Sequence, residues 1–219
     1  VAIDGIQFPA GLPDLSGTGN PMLQRLLNDL VQDDTLQLHV EYAYTYNPAL
    51  ADQMISSSTV SLPGYFELTG ESETRNVPLG AFAALQQADV NTAPALQAEL
   101  LQKAALPRAS LRLEDSGLVD VMIAAMADGS GLPPATMRGQ LKSQLQNYYL
   151  FLPATLQGFG QQTGTQLAEF IDGQRTLIIT ITPAYDGALA QLQPELMGTI
   201  LVGNFNKAIE LLQLQISVE

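Results

Sequence analysis

The stretch Arg108–Gly131, RASLRLEDSGLVDVMIAAMADGSG, reads as a strand that runs straight into a helix. Ala109, Leu111 and Leu113 alternate with Ser110, Arg112 and Glu114, the period of two of a half-buried strand. Asp115 and Ser116 then offer side-chain oxygens to the free N–H groups of a helix start, so Asp115 is expected to cap the helix. Leu118, Val121, Met122, Ala125 and Met126 follow at helical spacing, and Gly129 is the expected stop. An amphipathic strand and an amphipathic helix joined with almost no loop must bury a face on the same core.

Outward toward the N-terminus, Leu36 to Tyr46 is the clearest strand. Leu36, Leu38, Val40, Tyr42, Tyr44 and Tyr46 fall on one face, and Gln37, His39, Glu41, Ala43 and Thr45 on the other. Met54–Leu62 and Tyr65–Glu73 read as further strands around a Pro63-Gly64 turn, giving an antiparallel meander with one dry and one wet face. Val1–Asn20 reads as a short edge strand and an ordered loop, and the apolar spacing from Met22 to Val31 as a helix begun at Pro21. Val77–Lys103 turns helical, with a start at Asn91–Pro94, and Pro107 closes that segment before the central strand.

Outward toward the C-terminus, Pro133-Pro134 opens a long helix through Met137, Leu141, Leu145, Tyr148 and Tyr149 that Pro153 must end or kink. Gly158, Gly160 and Gly164 mark a break, after which Thr165–Ile171 is a short helix. Leu177, Ile179 and Ile181 make a strand that Pro183 ends. Two helical pieces, Ala188–Leu192 and Glu195–Val202, lead to a final strand through Leu212, Leu214, Ile216 and Val218. Leu26–Val40 and Leu167–Ile181 echo one another, each a short apolar helix, a polar break and a Thr-Leu strand opening.

The totals bound what these elements can do. A chain of 219 residues, 46% hydrophobic with mean hydropathy +0.11, is globular and can bury a sizeable core. Nine Lys+Arg against 22 Asp+Glu leave a net charge of −13, which repels phosphate backbones, so nucleic acid is excluded as a partner. With no Cys there are no disulfides and no thiolate chemistry. No apolar run is long enough to span a membrane. A start at Val1 is expected to reflect a removed signal peptide or anchor, or a trimmed chain.

Candidate chemistry is sparse. His39, the single histidine, lies beside Glu41 on the wet strand face, an ordinary solvated position. No nucleophile-elbow pattern surrounds any serine, and Ser56–Ser58 reads as the polar part of a strand. Glu114 and Asp115 point apart as strand neighbours, and Asp33-Asp34 solvates a turn. No calcium-loop pattern is present, so neither a metal nor a cofactor is expected. Gly17–Asn20 lacks the Lys of a phosphate loop and reads as plain loop. Tyr42, Tyr44 and Tyr46 either line a ligand groove or belong to the buried sheet face; buried phenol oxygens need partners, which favours a cavity-facing sheet.

The segment LRLEDSGLVDVMIAAMADGSGLPPATMRGQL, with Asp115, Gly117, Leu118, Ala127 and Arg138, resembles one found in uncharacterised proteobacterial periplasmic and envelope proteins, AsmA-like in style. LAEFIDGQRTLIITITPAY and SLPGYFELTG share the likeness. The resemblance implies a periplasmic or cell-envelope location and the handling of apolar ligands, and it carries over no catalytic residue.

The expected fold is α+β, a curved and mainly antiparallel sheet with helices packed on one face. It forms a single domain over residues 1–219, which the internal echo would divide into similar halves of about 1–105 and 106–219. Leu111, Leu113, Leu177 and Ile179 should share the face of Leu38–Tyr46, and the helix Leu118–Met126 should pack on it, with Val121 facing inward. The expected function is a non-enzymatic envelope module binding a lipid, another apolar ligand or an envelope protein. The alternatives are a structural or assembly scaffold and a carboxylate-dependent hydrolase, which would need convergent acids in a cleft.

Overall fold

A computed structural model describes residues 2–7 and 37–219. Leu36, the helix expected at 21–31, the 17–20 loop, Asp33-Asp34 and most of the first copy of the internal echo lie outside the described residues. The fold is α+β. Among the described residues seven strands form one sheet in chain order, each antiparallel to the next. They are β1 (Ala2–Gln7), β2 (Gln37–Asn47), β3 (Gln53–Leu62), β4 (Phe66–Arg75), β5 (Ala105–Asp115), β6 (Thr176–Ile181) and β7 (Gln215–Val218). Tight turns join β2 to β3 and β3 to β4, and helical segments fill the later connections. Between β4 and β5 lie α1 (Leu79–Gln87) and α2 (Ala93–Lys103), and between β5 and β6 lie α3 (Leu118–Ser130), α4 (Pro134–Asn147) and α5 (Gln157–Ile171). Between β6 and β7 lie α6 (Leu189–Leu201) and α7 (Phe205–Leu212).

Register sets the faces. Paired residues of an antiparallel ladder point the same way. Val40, Val60, Leu68, Leu113, Leu177 and Val218 form one row across six strands. The next row is Tyr42, Ser58, Gly70, Leu111, Ile179 and Ile216, and the next Tyr44, Ser56, Ser72, Ala109 and Ile181. Leu38–Tyr46 therefore share a face with Leu111, Leu113, Leu177 and Ile179, and α3–α5 lie on that face. The opposite face carries His39, Glu41, Glu67, Glu71, Arg112 and Glu114, where Arg112 pairs with Glu114 at 2.8 Å and Glu219 at 3.4 Å.

The cover does not reach the tyrosines. Tyr42 and Tyr44 are 40% and 57% exposed, so the buried role expected for them is corrected. In their rows the central strands present Ser58, Gly70, Ser56 and Ser72, and Ser56 Oγ and Ser72 Oγ share a 2.8 Å hydrogen bond. Such a surface offers a helix little apolar area. The aliphatic end, at β5–β7, is where α3–α5 settle.

Several element boundaries differ from expectation. The two pieces expected at Ala188–Leu192 and Glu195–Val202 are one helix, α6, with Pro194 inside it. Pro107 lies inside β5, at a register shift between Glu73 and Arg75 of β4, where its missing N–H breaks no ladder bond. Helix α3 runs past Gly129 and stops at Gly131, whose φ of 67° is left-handed. Gly158, Gly160 and Gly164 sit within α5 instead of breaking it. A Cβ on Gly164 would lie 2.2 Å from the Leu145 carbonyl oxygen, and one on Gly160 2.5 Å from Leu152 Cδ1. These glycines are a docking seam for α4 and the 3₁₀ turn after it. Finally, 205–212 is helix α7, capped by the Asn204 side chain, which accepts from Lys207 N, and the last strand begins at Gln215.

Candidate functional site

The candidate site is an apolar groove where the sheet meets its helical cover. Leu113 of β5 and Leu177 of β6, direct register partners, form its floor. One wall is α3 with Leu118, Met122 and Met126, and the other is α4 and α5 with Leu141, Leu145, Leu167 and Phe170. The groove has a volume of about 260 Å³ and is partly open to solvent; Met122, on its wall, is 43% exposed. Among the described residues, Asp115 is the only charged one that lines it.

The walls are held by a small core and by local capping. Ile123, Ala127 and Met137 are buried together, with Val119, Leu132, Leu141 and Ile171 packed around them. Val121 is only half-buried; Ile123, 2% exposed, is the inward anchor of α3. Asp115 Oδ1 accepts from Val119 N at 2.9 Å, two residues upstream of the Gly117 N-cap. Gly117 takes φ 151° and a Cβ there would meet the Gly64 carbonyl oxygen at 3.0 Å, so the strand-to-helix corner needs glycine. The Tyr65 carbonyl accepts from Ser116 N and Leu118 N, pinning the β3–β4 turn to this corner.

A polar cleft of about 100 Å³ adjoins the groove, and Asp115, Val119, Phe170 and Ile171 line both. Ser116, Gly117, Asp120, Arg138, Gly173 and Arg175 complete it. Arg138 donates to the Ile171 carbonyl at the C-terminal end of α5 and to Asp120 of α3, a cation where the helix dipole favours one. Beside it Lys142 pairs with Asp172. The Arg175 carbonyl accepts from Asp115 N at 2.7 Å, so Arg175 stands where β6 begins, beside Asp115. Its exposed guanidinium has no ion pair or hydrogen bond among the described residues.

The residues singled out by sequence fall in different places. Asp115 lies at the threshold of groove and cleft. None of Tyr42, Tyr44 and Tyr46 lines the groove; β2 is three strands from β5, roughly 14 Å at ordinary strand spacing. The Tyr46 hydroxyl donates to Asp52 Oδ1 at 2.5 Å, which raises the phenol above its ordinary range, and it accepts from Leu79 N at 3.4 Å. It ties the β2–β3 turn to α1. His39 is half-buried opposite Ser61. The groove residues Met122, Leu141, Leu145, Leu167 and Phe170 escaped sequence reading because their apolar periodicity reads equally well as closed core.

A family model described as "Uncharacterized protein" matches residues 59–219. The chain belongs to that family. The matched span starts within β3 and includes the whole groove and cleft, while β1 and β2 precede it. No curated protein matches the chain, and no solved structure matches it. Among the described residues no helix is long and apolar enough to cross a membrane.

Proposed function

We propose that the chain is a non-enzymatic module of the bacterial cell envelope, working in the periplasm, that binds an apolar ligand in the groove between the sheet and α3–α5. The observation that supports this most is the groove's lining. Leucine, methionine and phenylalanine side chains from five elements face a common space of about 260 Å³ that stays open to solvent. Leucine- and phenylalanine-lined space of about 150 Å³ already holds benzene. Functional ligand pockets run from about 300 Å³ upward. The groove is thus of a size for one chain-like or small ring ligand. The nearby acids are already engaged, Asp115 with Val119 N and Asp120 with Arg138, which speaks for binding over carboxylate catalysis.

Docking of an envelope protein partner is the second reading. It rests on the α6–α7 corner, where Leu201 and Val202 are 80% and 78% exposed and Phe205 stands beside them.

Native mass spectrometry of protein purified from its own host tests the first reading. A retained apolar molecule that is lost in Met122→Asp is the expected result. Met122 is a partly exposed wall residue, so the variant should keep its fold and melting temperature. Retention of the same mass by Met122→Asp would place the ligand elsewhere.

A further inference from the structure

The apolar groove and the polar cleft share a threshold, and resting on the apolar-ligand reading above, we propose that the ligand is a single-chain anionic amphiphile, its tail on Leu113 and Leu177 and its carboxylate at Arg175. Three observations carry this. First, the two spaces are contiguous through Asp115, Val119, Phe170 and Ile171, so a molecule with an apolar and a polar end fits across them. Second, the volume of about 260 Å³ suits one chain and not two.

Third, the charges in and beside the cleft are unevenly engaged. Asp120 is paired with Arg138, Asp172 with Lys142, and Asp115 accepts from the Val119 amide. Arg175 alone among the charged side chains there has no hydrogen bond or ion pair among the described residues. In a chain of net charge −13, an open guanidinium lining the cleft beside an apolar groove is a local exception. A guanidinium also matches a carboxylate with two parallel N–H donors.

The test compares dodecanoate, dodecanol and dodecyltrimethylammonium, each below its micelle concentration, by displacement of a polarity-sensitive dye from the full chain. Dodecanoate should bind up to roughly fivefold more tightly than dodecanol, the range an exposed ion pair supports. Arg175→Gln should erase that ratio while dodecanol binding stays unchanged. Arg112→Gln, which removes the same charge from the opposite sheet face, should preserve the ratio. Added salt should shrink it.

The failures are separable. If none of the three amphiphiles displaces the dye, or Met122→Asp binds all three as the wild type does, the groove reading itself falls. If dodecanol matches dodecanoate, or Arg175→Gln leaves the ratio intact, the groove stands and the headgroup assignment is overturned. A preference for dodecyltrimethylammonium would overturn it too, making Asp115 and Asp120 the selecting groups.

Discussion

Asp115 joins three roles in one residue: it ends β5, its Oδ1 holds the second N–H of α3, and its side chain stands between groove and cleft. Removing the acceptor strands a helix N–H, so Asp115→Ala should cost about 0.5–2 kcal/mol, with Asn restoring most of it. Denaturant titration of the three proteins measures this. Equal stability of the Ala and Asn variants would mean the bond contributes nothing. On β4, Glu73 accepts from Gln53 Nε2 and Arg75 Nε, each at 2.8 Å, and these bonds hold its carboxyl below the ordinary 4.5 of a glutamate. A carboxyl lowered in the folded state contributes stability that is full above pH 4.5 and is lost as pH falls through the folded-state value. Glu73→Gln should therefore melt slightly below wild type at neutral pH, and the two melting curves should converge in acid. A gap that widened below pH 4.5 would contradict the sign.

At the scale of elements, the α4–α5 seam distinguishes glycines that look alike in sequence. At Gly164 a methyl group would overlap the Leu145 carbonyl, which is backbone and cannot step aside. Gly164→Ala should lose about 1–3 kcal/mol by overpacking. Gly139, mid-helix in α4 with nothing within 4 Å of a Cβ, should instead gain about 1 kcal/mol as Ala from helix propensity. Thermal melts showing the same sign for both would refute the seam. The contrast also explains what was legible. Strand alternation in Leu38–Tyr46, Leu111–Leu113 and Leu177–Ile181 gave the shared face directly, because a period of two leaves no choice of side. Gly160 and Gly164 read as breakers because glycine disfavours helices in isolation; only a neighbouring helix turns a missing side chain into an asset. Likewise Leu212 fits both the alternation of Leu212, Leu214, Ile216 and Val218 and the helical spacing of Phe205, Ala208, Ile209 and Leu212, and the helix capped by Asn204 claims it for α7. The groove was illegible for a related reason: Met122 and Leu145 carry the same pattern whether their helices close over the sheet or stand off it.

For the whole molecule, the core that holds the helical cover together is centred on the α3 anchor, Ile123. Ile123 packs with Ala127 and Met137, so Ile123→Asp would bury an unpaired carboxylate, a cost of several kcal/mol against a total stability of about 5–15 kcal/mol. The variant should lose cooperative unfolding in a circular-dichroism melt; a transition within a degree or two of wild type would show that the helices do not depend on this core. The chain-ordered sheet also has a kinetic consequence. Every strand meets its sequence neighbours, yet the gaps are unequal: β2, β3 and β4 are separated by tight turns, while β5 must wait for the whole segment 116–175 before β6 arrives. Closing a long loop costs entropy before its contacts repay it, so pairing should spread from the β2–β4 hairpins toward β7. Pulse-labelled hydrogen exchange should find amides of Ser56–Thr59 protected earlier than those of Leu177–Thr180. The groove would then be the last part of the protein to take shape, and an amphiphile present during refolding should hasten only the final phase.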